Sequence, residues 1–120
     1  MSTNLLAGTT MTPQTLLSAF LGTSDAAVYT CPGTSTVKIA TATVCNVTGT
    51  AATVFVGVIP TGGTAGTSHH LVHGFSLAAN DSLSLTTYLA GLMLTAGDAV
   101  SAYSGTATAV AMVLTGTVSS

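Results

Sequence analysis

From residue 25 onward, short apolar stretches alternate with turn residues about every 8–12 positions, the spacing of strands in a sandwich or barrel. Residues 26–31 form the first stretch, closed by Pro32-Gly33. Over residues 37–47 the odd positions Val37, Ile39, Cys45 and Val47 are apolar, with Thr41 and Thr43 between them; the even positions include Lys38 and Asn46. A period of two predicts that the odd side faces a core and the even side faces solvent. Gly49-Thr50 then turns the chain. Residues 53–59 are apolar on both sides, Val54, Val56 and Val58 against Phe55 and Ile59, which predicts a strand covered on both faces. Pro60 ends it, and residues 61–68 are too rich in Gly for regular structure. A strand is expected over 70–77, a turn at Ala79-Asn80-Asp81, and an alternating strand over 82–88, with Leu83 and Leu85 set against Ser84 and Thr86. Residues 92–94, a turn at Gly97-Asp98, and a last hairpin of 100–104 with 107–118 about Gly105-Thr106 complete the pattern. The predicted fold is all-β: an antiparallel β-sandwich, jelly-roll-like or a meander, of about eight strands over residues 25–120.

Residues 1–24 follow a different pattern. Thr12-Pro13, then Leu16, Leu17, Phe20 and Leu21, then Gly22, reads as a short capped helix with Pro at its first position and Gly after its end. An edge strand is the alternative reading of the same residues. Before them lies an arm without periodicity. Its Leu5, Leu6 and Met11, with Leu16 and Phe20 behind them, are the candidate inter-subunit contacts, because apolar chain ends gain by lying on a neighbour.

Composition changes the picture more than any motif. Charged residues make up 3% of the 120-residue chain: Lys38 against Asp25, Asp81 and Asp98, with no Glu or Arg. Ordinary domains carry roughly 25%. Hydroxyls and backbone must therefore supply the polar surface, and a net charge of −2 gives little self-repulsion. Such a surface suits a subunit covered by its neighbours. One lysine cannot neutralise a row of phosphates, so nucleic acid is not an expected partner. No run approaches the ~18–20 apolar residues of a spanning helix, and residues 1–6 lack the charged start of a signal peptide, so no membrane is expected either.

Candidate chemistry is sparse. Asp25, Asp81 and Asp98 are too scattered for a paired-carboxylate mechanism; Asp81 and Asp98 read as turn residues bonding their own backbone. No catalytic residue and no cofactor are assigned. His69, His70 and His73 form the one conspicuous cluster. In an unbroken strand His69 and His73 share a face roughly 13 Å apart, too far for one metal at ~2 Å from each nitrogen. His69 and His70 would point to opposite faces. No metal site is therefore expected within a single chain. Cys31 and Cys45, placed on neighbouring strands of a hairpin at Pro32-Gly33, fall out of register for a disulfide and are expected as two thiols. Asn46-Val47-Thr48 and Asn80-Asp81-Ser82 match the glycosylation acceptor pattern, which Thr- and Ser-rich sequence produces by chance.

Taken in order, Val28-Tyr29-Thr30-Cys31-Pro32, Val37-Lys38-Ile39, Val44-Cys45-Asn46-Val47-Thr48 and Val58-Ile59-Pro60-Thr61-Gly62-Gly63 resemble one type of protein. The Ser76-Leu77-Ala78-Ala79-Asn80-Asp81 turn and Leu94-Thr95-Ala96-Gly97-Asp98-Ala99-Val100 extend the likeness. The layout is similar to small virion-associated β-sandwich proteins of tailed bacteriophages, head decoration or minor tail proteins. The resemblance implies a non-enzymatic subunit of the virion, assembled in the host cytoplasm, whose partners are copies of itself and the major capsid protein or tail proteins. It implies a capsid decoration role first. A minor tail or host-binding tip module is the alternative, using the loop over 61–73 with exposed aromatics such as Tyr88 or Tyr103.

Overall fold

The computed structural model describes residues 11–119, without the side chains of residues 87 and 88. Nine strands occur among them: β1 (Met11–Phe20), β2 (Ala27–Thr30), β3 (Thr36–Asn46), β4 (Ala52–Ile59), β5 (His70–Leu77), β6 (Ser82–Ser84), β7 (Met93–Leu94), β8 (Ala99–Ser104) and β9 (Val110–Ser119). One sheet has the order β1-β9-β3-β6, with β7 also paired to β3, and the other has the order β2-β8-β4-β5. Every paired neighbour is antiparallel. We call these the front and back sheets. Between them lies one core, including Val37, Ile39, Val44, Val54, Val56, Leu77, Leu85, Leu94, Val100, Met112 and Leu114.

The β-sandwich expected from the sequence is present, and several of its connections differ from those expected. Residues 12–21 form no helix. Met11–Phe20 is an edge strand, lying along the free side of β9 with Met11 opposite Ser119 and Phe20 opposite Ala111. Pro13 is tolerated because an edge strand has a side on which no N–H is required. The expected hairpins at Pro32-Gly33 and Gly105-Thr106 are crossings between sheets, since β2 and β8 belong to the back sheet and β3 and β9 to the front. Only β4 and β5 are consecutive and hydrogen-bonded to each other, which removes the meander. The strand expected over 82–88 stops at Ser84; Leu85 is fully buried, and Thr86–Leu89 make one helical turn, α1.

The inward and outward faces of β3 change partway along. Val37 and Ile39 point into the core as period two predicts, but beyond them Ala42, Val44 and Asn46 are buried, while Val47 is 50% exposed and Cys45 only half-buried. The cause is a β-bulge: Ile39 faces Gly116 and Thr41 faces Thr115, so Ala40 is an extra residue and the alternation slips by one. β1 has its own bulge at the same level, with Thr15 opposite Thr115 and Leu17 opposite Leu114, leaving Leu16 extra. Gly116 therefore sits between two bulged neighbours, and a Cβ there would lie 2.4 Å from the Lys38 carbonyl oxygen and 3.1 Å from Leu16 Cδ1.

The slip buries Asn46 completely, at the point where the chain leaves the front sheet for the back one. Its Nδ2 donates to the carbonyls of Thr50 (2.7 Å), Leu77 (3.1 Å) and Ala78 (3.2 Å), and its Oδ1 accepts from the backbone N–H and the hydroxyl of Thr48. One amide thus ties β3 to the end of β5 and satisfies the turn that joins β3 to β4. In this fold the Asn46 amide is closed off from solvent. Asp98 clamps the opposite end. Its Oδ1 accepts from the Thr61 N–H and its Oδ2 from the Thr95 N–H and hydroxyl. These bonds favour the charged form, and the backbone donors Thr95 and Thr61 lower its pKa from the ordinary 3.8 to about 2.

Three outcomes follow. Asn46→Ala removes a donor from three carbonyls, of which Thr50 and Ala78 keep a second one, and strands the Thr48 N–H; it should cost about 2–3 kcal/mol in urea unfolding. Gly116→Ala should cost about 2–3 kcal/mol by overpacking, whereas Gly22→Ala, with nothing within 4 Å of the new Cβ, should be nearly neutral. Because the Asp98 pKa is depressed on folding, its stabilisation is present above pH 4 and is lost as pH falls toward 2. Asp98→Asn should therefore flatten stability over that window, by under about 1 kcal/mol once solvent screening is counted.

Candidate functional site

Three chemistry-bearing side chains, Asp25, His70 and His73, converge on the outer face of the back sheet. β5 departs from a regular ladder beside β4: Val56 faces Val72 and Gly57 faces His70, so Leu71 is an extra residue. Regular alternation would put His70 and His73 on opposite faces. The inserted residue puts them on the same one, with their Nδ1 atoms 2.8 Å apart. The strand is not unbroken, so the four-residue spacing expected between His69 and His73 does not hold. His69 lies instead in the helical turn Thr67–His69 that leads into β5.

Asp25 completes the group from the other edge of the sheet. Its Oδ2 is 3.0 Å from His70 Nε2, although β8 and β4 lie between β2 and β5. The span is possible because Gly57 and Ser101, paired across β4 and β8, are small. A Cβ on Gly57 would approach the His69 carbonyl oxygen to 2.5 Å. The His70 side chain is only 3% exposed and that of Asp25 21%, whereas His73 is exposed. Phe55 stacks on Tyr103 with ring centres 4.3 Å apart and planes 3° from parallel. The edge of Phe55 meets His73 at 5.1 Å, so the two imidazoles rest against an aromatic floor.

Proton placement follows from this geometry. A carboxylate only accepts, so His70 Nε2 carries hydrogen toward Asp25. The rings of His70 and His73 have centres 5.1 Å apart for a 2.8 Å nitrogen separation, so they meet nose to nose with one proton in the gap. With both rings neutral, His73 Nδ1 donates and its Nε2 is left with a bare lone pair. Asp25 Oδ1 is buried without a hydrogen-bond partner among the described residues.

The chain matches no family model, no curated protein and no solved structure. Its site is therefore characterised by geometry alone.

The other candidates are dispersed. Leu5 and Leu6 lie outside the described residues. Met11 and Phe20 are exposed at the two ends of β1, at 47% and 54%. Leu16 is half-buried and packs from its bulge against the core of its own chain. Tyr103 belongs to the aromatic floor. Cys31 and Cys45 are free thiols. Cys31 is buried, and its Sγ lies 3.3 Å from the Ser35 carbonyl oxygen and 3.5 Å from that of Leu94. Burial first, and the Asp98 charge second, push its pKa up, so the thiol stays protonated and unreactive. Asp81 Oδ1 accepts from the Ser82 N–H, the turn role read from the sequence. No group of three His, Cys or acidic side chains is placed to share a metal among the described residues, and no described helix is long and apolar enough to cross a membrane.

A second feature lies on the opposite side of the molecule. The outer face of the front sheet carries rows of matched small residues: Ser18, Val113, Thr43 and Ser84 across one level, and Thr15, Thr115 and Thr41 across another. The Thr41 and Thr115 hydroxyls bond each other. Phe20 and Val113 are exposed there, and Met11 and Met93 line a groove of about 210 Å³ with Thr36, Lys38, Thr117 and Ser119. Lys38 is the one ionisable cation on this face among the described residues; Asp81 and Asp98 lie in turns and Asp25 beside the back sheet.

Proposed function

We propose that the chain is a non-enzymatic structural subunit of a tailed-phage virion, a decoration or accessory protein of jelly-roll fold that stabilises the head through contacts with capsid subunits and with copies of itself. The observation that carries this reading is the strand pairing. A jelly roll arises when a long antiparallel hairpin rolls up, so that its first strand meets its last, its second the next to last, and so inward. With β6 and β7 taken as one interrupted strand along β3, the pairs here are β1 with β9, β2 with β8, β3 with β6 and β7, and β4 with β5. Viral capsid proteins and lectins share that architecture.

Fold alone does not carry function, and the front face supplies the second support. A broad β surface of hydroxyls, Val113, Phe20 and two methionines, with one charge, is poorly suited to isolation at high concentration. It is well suited to a neutral neighbour: apolar burial contributes about 25 cal/mol per Å², and thioethers adapt to irregular surfaces. On this reading Met11 and Phe20 contact the neighbour.

The test is incorporation into purified native particles. A decoration protein is expected in symmetric multiples matching the capsid lattice; a handful of copies per particle would assign it to the tail instead. Val113→Glu should leave folded stability within about 1 kcal/mol. It should lower particle occupancy roughly tenfold or more by burying an unpaired charge, while Thr64→Glu, in the exposed loop before β5, should incorporate normally. Equal incorporation of both variants would remove the front face as the docking surface.

A further inference from the structure

We infer that His70 and His73 form a bidentate site for a divalent transition metal, with Asp25 as the carboxylate that orients one of its ligands. The inference does not rest on the virion reading, since it concerns the opposite face of the molecule.

Two imidazole Nδ1 atoms already lie 2.8 Å apart. For a metal about 2.0–2.1 Å from each, that separation sets the N–metal–N angle close to a right angle. This is the angle between adjacent positions of a square-planar or tetragonal centre, the geometry of Cu(II) and Ni(II). Tetrahedral Zn(II), at the same bond length, needs the nitrogens about half an ångström further apart. Calcium and magnesium want oxygen ligands and are not expected.

His70 is the fixed ligand. Its ring is buried against Phe55 and Tyr103, and its Nε2–H is held by Asp25, the arrangement that metal-binding histidines use to set tautomer and orientation. His73 is the movable one. The two rings now meet head-on, so one must turn for both lone pairs to reach the metal, and exposed His73 is free to do so. The metal takes the place of the proton in the gap. In the neutral pair that proton passes from His73 Nδ1 to its Nε2 through solvent, so no proton is released overall. Positive charge arriving at His70 is balanced by the Asp25 carboxylate 3.0 Å away. Water completes the coordination, because no third protein ligand is placed to join among the described residues.

The experiment is calorimetric titration of the full chain with Cu(II) and Ni(II) salts, together with electron paramagnetic resonance of the Cu(II) form. One metal per chain is expected, with hyperfine coupling to two nitrogens. His73→Ala, at an exposed position that leaves the fold intact, should weaken binding at least tenfold and remove one nitrogen from the spectrum. Asp25→Asn should weaken it about tenfold, and His69→Ala should bind as the parent does. Absence of a saturable site of one metal per chain, or affinity indifferent to His73→Ala or to Asp25→Asn, would overturn the assignment. So would loss of binding in His69→Ala.

Discussion

The structure depends on satisfying polar groups almost without ions. A chain with one lysine and three aspartates cannot organise its contacts by charge pairing. Its backbone must be paired in ladders, and whatever the ladders leave open must be met by a few well-placed polar side chains and not by ion pairs. Asn46 meets most of that demand at one crossing between the sheets, Asp98 and Thr61 at another, and the Cys31 thiol helps close a third turn. Threonine fits the same constraint on the outside. It is β-branched and favours the extended backbone, and its hydroxyl stays wettable without charge.

The sequence revealed the strands better than their partners. β4 and β5 were legible because their apolar runs are bounded by Gly, Pro and Asn turns, and turn chemistry is local. The phase of β3 was not, because a bulge at Ala40 leaves no mark in a count of alternating residues; it is imposed by Gly116 and Thr115 across the ladder. Helical spacing in residues 12–21 was overridden by the open side of β9, which accepts any extended segment able to register against it. Pairing between distant strands is likewise a property of the assembled sheets. A turn at Pro32-Gly33 looks the same in sequence whether it closes a hairpin or carries the chain from one sheet to the other.

The same limit explains the site. His70 and His73 are visible as letters, and their meeting depends on the extra residue Leu71, on Gly57 leaving room beneath them, and on an aspartate 45 positions earlier in the chain. Nothing in the spacing points to Asp25. The two outer faces thus differ in kind. The front one is broad, neutral and assembled from rows of matched small residues, whereas the back one concentrates aromatic rings and titratable groups in a small area.

The position of β9 has a consequence for biosynthesis. It is made after every strand it touches, yet it occupies an interior place in the front sheet, between β1 and β3. Until it emerges, β1 has nothing to pair with and β3 presents a long bare edge, so the sandwich cannot close one strand at a time as the ribosome delivers it. Folding must wait for a contact between distant parts of the chain, which is slow in proteins of this topology. During that delay the open edge of β3 is exposed to any other extended segment, including the same edge of a sister chain. High-level synthesis would thus reward whatever shortens the interval before β9 emerges, and the yield of native protein should be set by kinetics more than by final stability.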